Sequence, residues 1–113
     1  MSDCLFCRIV AGEIPATIVD RTETTVAFRD VAPASPTHIL VVPTRHVANL
    51  DEAVATDRDI AADVISQCAR VAEQEGLVDG YRVVINTGPL GGQTVHHLHA
   101  HVLGGRAHAW PPG

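Results

Sequence analysis

Near the C-terminus, His97-Leu98-His99-Ala100-His101-Val102-Leu103 alternates three histidines with apolar residues. That is the period of a β-strand, on which residues two apart share a face and lie about 6.8 Å apart. The three imidazoles are therefore predicted to line one face, with Leu98, Ala100 and Val102 turned into a core. Imidazole is close to neutrality at working pH, so such a row can supply a nucleophile, an acid-base group or metal ligands. An unprotonated ring nitrogen can attack phosphorus, while neighbouring imidazoles steady oxygens that gain charge. The rival is a metal cluster, since alternating histidines on a strand also serve zinc and iron. No Asp or Glu lies on this strand to complete a carboxylate-bearing site, which favours the nucleophile.

Cys4-x-x-Cys7 is the second group able to do chemistry. Two thiolates at this spacing can share one metal, and zinc needs two more ligands to close a tetrahedron. The other reading is a reduced, half-buried pair on a short helix. A redox role needs a thioredoxin-like βαβ setting that the sequence lacks.

These groups must be positioned by the rest of the chain. Residues 4–11 carry an apolar pattern at 5, 6, 9 and 10 and predict a short helix ended by Gly12. Ile18-Val19 and Val26-Ala27-Phe28 read as a hairpin turning through 21–24. Pro33 and Pro36 mark a rigid loop, and His38-Ile39-Leu40-Val41-Val42 reads as a strand stopped by Pro43. The long helix is predicted over 57–75, with Thr56 and Asp59 as a capping box and Gly76 at its C-terminus. Ile60, Val64, Cys68, Val71 and Ala72 form its apolar stripe, so Cys68 reads as a small core hydrophobe. Asp51 and Glu52 read as a wet helix start. Tyr81–Ile85 is the next strand, followed by the turn Asn86-Thr87-Gly88-Pro89 and the histidine strand. A short N-terminal helix and one long helix among neighbouring strands predict a single α+β domain over 1–113 with a mainly antiparallel sheet. No glycine-rich turn joins a strand to a helix, which rejects Rossmann and P-loop readings.

The chain has 113 residues, 46% hydrophobic and 19% charged, with a formal net charge of -5. That balance, without a Lys/Arg cluster, argues against nucleic acid as a partner. No basic start precedes a long apolar run, so neither a signal peptide nor a membrane span is expected, and the cytoplasm is the predicted location.

The run Gly92-Gln93-Thr94-Val95-His96-His97-Leu98-His99-Ala100-His101-Val102-Leu103-Gly104-Gly105-Arg106 resembles the signature of the histidine triad (HIT) family. The likeness continues in Cys-x-x-Cys and Gly-Glu-Ile-Pro at the start, Asp30-Val31 and Pro36-Thr37-His38 in the middle, and Trp-Pro-Pro-Gly at the end. That ending resembles the nucleotide-binding (HINT) branch in particular.

The resemblance implies a purine nucleotide phosphoramidase acting at the α-phosphorus, with an AMP- or GMP-type ligand. His99 would be the nucleophile, His101 would bond the phosphate oxygens, His97 would orient the site, and His38 would be the additional active-site histidine. Asn86, Gln93 and Thr94 would contact phosphate. Asp30 would meet the ribose hydroxyls, with Phe6, Ile9, Phe28 and Val31 forming an apolar slot for the base. Thr94 departs from the usual serine and His96 from the usual aromatic. Zinc is implied on Cys4, Cys7, His46 and His97, and no catalytic metal. A homodimer is implied as well, with the tail from about 106 to 113, Trp110 included, reaching the partner's site. The triad is shared by dinucleoside polyphosphate hydrolases and nucleotidyl transferases, and a non-catalytic, zinc-stabilised nucleotide-binding module is the third alternative.

Overall fold

A computed structural model describes residues 3–113. Its elements in chain order are α1 (Leu5–Val10), β1 (Ile18–Arg21), β2 (Thr25–Arg29), β3 (Thr37–Pro43), α2 (Leu50–Thr56), α3 (Arg58–Gln74), β4 (Arg82–Val84) and β5 (Ala100–Gly104). The strands form one antiparallel sheet in the order β1-β2-β3-β5-β4. The expected α+β class is the observed one. No helix among the described residues is long and apolar enough to cross a membrane.

Val26-Ala27-Phe28 and Ile39-Leu40-Val41-Val42 are unbroken apolar runs because both faces of the central strands are covered. Ala27, Ile39 and Val41 point to α2 and α3, where they pack with Ala53, Ile60, Val64, Cys68 and Val71. Val26, Phe28, Leu40 and Val42 point the other way, to Phe6 and Ile9 of α1. Burial of such side chains contributes roughly 1.5–3 kcal/mol each. Cys68 lies inside the first cluster, and burial pushes its thiol up to about 11.

Three details differ from the sequence reading. First, α2 is an additional helix, begun by Asn49, whose Oδ1 accepts the Glu52 N–H at 2.9 Å while Glu52 Oε2 accepts the Ala48 N–H at 3.0 Å. Second, Asp57, not Thr56, caps α3. Its extended backbone breaks the two helices apart and its Oδ1 accepts the Asp59 N–H at 3.0 Å, whereas the Thr56 hydroxyl bonds back to the Glu52 carbonyl at 2.8 Å. Third, the last strand begins only at Ala100, leaving His97 and His99 outside the ladder.

The ladder stops for a chemical reason. The register pairs Val41 with Ala100, so continuing it two residues would oppose Leu98 to Pro43. Pro43 has no N–H to offer, and its carbonyl accepts from the His97 ring at 2.9 Å. Leu98 instead donates to the Val47 carbonyl at 2.8 Å. The alternation survives: Leu98, Ala100 and Val102 join the α3 cluster, while His97 and His99 are buried beside Phe6.

Gly105 closes β5 at φ +86°, and an added Cβ would lie 2.8 Å from Pro36 Cβ. Gly105→Ala is therefore expected to destabilise the fold by about 1–3 kcal/mol through strain and crowding, read from urea unfolding at constant m.

Candidate active site

Each triad ring has one nitrogen engaged by the backbone or by a ring that the backbone itself orients, and these contacts set which nitrogen carries the proton. The His97 Nε2–H donates to the Pro43 carbonyl. Its Nδ1 lone pair then faces Cys4 Sγ at 3.3 Å, Cys7 Sγ at 3.5 Å and His46 Nδ1 at 3.1 Å. Cys7 Sγ also lies 3.3 Å from His46 Nδ1. A tetrahedron with bonds of about 2.0–2.3 Å has edges of roughly 3.3–3.8 Å, so these four atoms sit close to the corners zinc requires. Two soft sulfurs and two imidazoles are also the donor set of a structural zinc site. Burial lowers the proton affinity of His97; the Pro43 carbonyl opposes that, and His46 and His99 add to it. The lone pair is thereby kept available.

The His99 Nδ1–H donates to the carbonyl of His97 at 2.8 Å. A neutral His99 ring consequently carries its lone pair on Nε2. His38 is fixed from the other direction: the Ala34 N–H donates to its Nδ1 at 2.9 Å, which leaves its proton on Nε2. That proton is donated to His101 Nδ1 at 2.9 Å, so a neutral His101 presents Nε2–H as a donor. Asp30 Oδ2 is 3.4 Å from His38 Nε2. Burial first, then the His99 and His38 rings, push His101 down to about 4, against the opposing pull of Asp30.

Asp30, His38 and His101 also offer ligand atoms close enough to share a cation. The Ala34 bond argues against that use, because it needs the His38 Nδ1 lone pair and so leaves a proton on the nitrogen that would have to coordinate. The set is better suited to holding a proton than a metal.

Beside the triad lies a largely apolar cavity of about 360 Å³, lined by Phe6, Ile9, Phe28, Asp30 and Val31 among others. Phe6 stands edge-on to Phe28 at 5.6 Å and to His99 at 5.1 Å between ring centroids. Asp30 Oδ1 accepts the Ala32 N–H at 2.8 Å, and Val31 is 98% exposed at the rim. Leu5, Ile14, Leu40 and Val95 also line the cavity and escaped the sequence reading. The apolar pattern that Leu5 shares with Phe6 and Ile9, and the phase of Leu40 on its strand opposite His101, were the signals available.

Asn86, Gln93 and Thr94 are carried by the loop between β4 and β5. Asn86 Nδ2 donates to the Gly91 carbonyl at 2.6 Å. Both Gln93 amide protons go to main-chain carbonyls, of Ala48 at 2.7 Å and Val95 at 3.0 Å, and its Oε1 accepts the Gly88 N–H at 3.1 Å. Gln93 thus acts as a strut for the loop, with its amide already committed. Thr94 and His96 are exposed. The structure does not bring Trp110 to the triad of its own chain: it is 85% exposed, on a tail whose Ala109 and Pro112 carbonyls accept from Arg82 of β4.

Fold and site together define a histidine triad protein with a Cys/His cluster beside the triad, and comparison with known proteins places the chain in a family. The HIT domain model matches residues 11–108, and the chain belongs to that family. It is 47% identical to the 14 kDa zinc-binding protein of Zea mays, over 99% of this chain and 89% of that one. It is 42% identical to adenylylsulfatase HINT1 of Arabidopsis thaliana, over 99% of this chain and 78% of that one. Among solved structures, a HIT family hydrolase from Legionella pneumophila superposes with a TM-score of 0.93 at 45% identity, covering 98% of this chain and 100% of that one.

The depressed His101 gives a signed pH dependence. Between an ordinary histidine value of about 6.5 and the folded value of about 4, the unfolded chain binds a proton that the folded one refuses. Stability should therefore fall as pH drops through 6.5, the loss being complete near 4. The melting temperature of His101→Asn is expected to change less across that window than that of the parent, measured by calorimetry at matched ionic strength.

Proposed function

We propose that this HIT protein is a purine nucleotide hydrolase of the phosphoramidase type, working through a covalent nucleotidyl-His99. The observation that carries the reading is the bond from His99 Nδ1–H to the His97 carbonyl, which leaves the Nε2 lone pair as the nucleophile. In the first displacement His99 Nε2 forms a bond to the α-phosphorus. The P–N bond breaks, its electron pair leaves on the amine nitrogen, and that nitrogen takes up a proton from solvent. The His101 Nε2–H donates to a phosphate oxygen that gains charge. In the second displacement water attacks the same phosphorus and loses a proton to solvent, the bond from phosphorus to His99 Nε2 breaks with its electron pair returning to that nitrogen, and the nucleoside monophosphate is released. In-line positioning and fixed donors can supply catalysis of this kind without a catalytic metal.

The cavity beside His99 suits a purine: its walls are apolar and aromatic, and Asp30 stands at its edge to accept from ribose hydroxyls. Asn86 and Thr94 lie on the loop that would meet the phosphate, shaped by Gly91, where a Cβ would come within 2.2 Å of the Thr87 carbonyl oxygen. Zinc fits Cys4, Cys7, His46 and His97; when bound it would hold α1 to the residue that orients His99. The zinc-binding relative from maize supports that assignment, and the adenylylsulfatase from Arabidopsis supports sulfate as a second leaving group to test. A homodimer follows from the same reading, with residues 106–113 and Trp110 extending to the partner. Thiolates kept for a metal suit a cytoplasmic location.

His99→Ala is expected to lose at least about a thousandfold in turnover of an adenosine phosphoramidate while still binding AMP. Intact mass after brief exposure to nucleoside phosphoramidates, adenylyl sulfate and dinucleoside polyphosphates should reveal a nucleotide adduct on the parent and none on the variant. Full activity of His99→Ala would overturn the mechanism. Binding of AMP with no adduct trapped under acid quench from any compound would favour a binding module instead. Metal analysis of the purified protein is expected to give about one zinc per chain, and Cys4→Ser to lose most of it.

A further inference from the structure

One of the two residues between the thiols, Phe6, belongs to both sites at once. Phe6 is the second residue of α1, held between Cys4, which caps the helix, and Cys7 in its first turns. Its ring forms part of the apolar cavity wall and stands edge-on to both His97 and His99, at 5.9 and 5.1 Å. The helix carrying it has six residues. That is far below the length at which a helix persists unaided, so its place depends on what tethers it. Two kinds of tether are visible: the packing of Phe6 and Ile9 on Val26, Phe28, Leu40 and Val42, and the reach of Cys4 and Cys7 to His46 and His97.

We propose that metal occupancy at Cys4, Cys7, His46 and His97 and occupancy of the base slot are thermodynamically coupled through α1, with Phe6 as the positioning residue that joins them. The coupling rests on the nucleotide reading above. A metal clamps the Cys4 end of α1 to residue 97 and sets Phe6 as the wall of the slot. A base seated in the slot pins Phe6 from the other side and holds both thiolates near His97. Since binding free energies are linked, each ligand must strengthen the other by the same factor. Phosphate and ribose contacts alone leave the slot empty and so leave α1 unpinned. The metal would thereby govern how well the site distinguishes a nucleotide from its sugar phosphate.

The test measures zinc affinity of the intact protein by competition with a chromophoric chelator, alone and with saturating AMP or ribose 5-phosphate. AMP is expected to tighten zinc by about tenfold, and ribose 5-phosphate by less than about twofold. AMP titrated into zinc-loaded and zinc-stripped protein should return the same tenfold. Phe6→Leu should keep its zinc and lose the AMP effect. Zinc affinity unmoved by bound AMP, an equal effect of ribose 5-phosphate, or a full effect in Phe6→Leu would overturn the coupling. The comparison of the two ligands on the parent protein decides the matter even if the variant folds poorly. Failure of AMP to bind the loaded protein would remove the functional reading and the coupling together, whereas AMP binding with unchanged zinc affinity removes the coupling alone.

Discussion

The contact from the His97 ring to the carbonyl of Pro43 governs the arrangement around it. A proline at the end of β3 cannot donate, so the ladder ends there and its carbonyl is left for a side chain. Taking the Nε2 proton of His97 fixes that ring's tautomer and turns its lone pair to the two cysteines and His46. The chain at 97 is also released from strand pairing, so its own carbonyl is available to accept from His99. One missing amide proton thus turns the His97 lone pair to the cysteines and leaves the His97 carbonyl to orient the ring of His99.

Burial supplies the other half of the control. His97 and His101 both bind protons less readily than an exposed histidine, and in each the first cause is removal from water. A row of imidazoles could otherwise hold several positive charges, and a charged ring has no lone pair to offer. His101 answers the opposite need, that of a donor: the sequence Ala34 N–H to His38 to His101 delivers an outward N–H without any net charge.

Much of this order was legible in the residues. The alternation of His97, His99 and His101 with Leu98, Ala100 and Val102 divides the two faces as the period of two requires, although only His101 lies in the strand proper. The end of the strand was not legible, because it depends on which residue of β3 falls opposite Leu98, a matter of register between segments more than fifty residues apart. The Asn49-x-x-Glu52 spacing was a signal for α2 hidden among acidic residues that also suit a wet surface. Family likeness singled out Gln93 in the loop before the triad, yet its use as a strut needs the positions of the Ala48 and Val95 carbonyls, which no local pattern encodes. The grouping of Cys4 and Cys7 with His46 and His97 came from family likeness and not from spacing, since the four residues are scattered over most of the chain.

The placement of that group also limits what a metal there could do. Four protein donors complete the tetrahedron zinc prefers, so no position is left for water or substrate. Its only side chain in common with the triad is His97, which turns Nδ1 to the cysteines and offers its main-chain carbonyl to His99. Between those two atoms lies the rigid frame of a single residue whose ring is anchored at Pro43. One route by which a metal there could act on His99 is geometric, through the angle at which that carbonyl meets Nδ1–H and through the seat of α1 against the slot. A site of this design would act on alignment, since its one shared residue reaches His99 through the main chain.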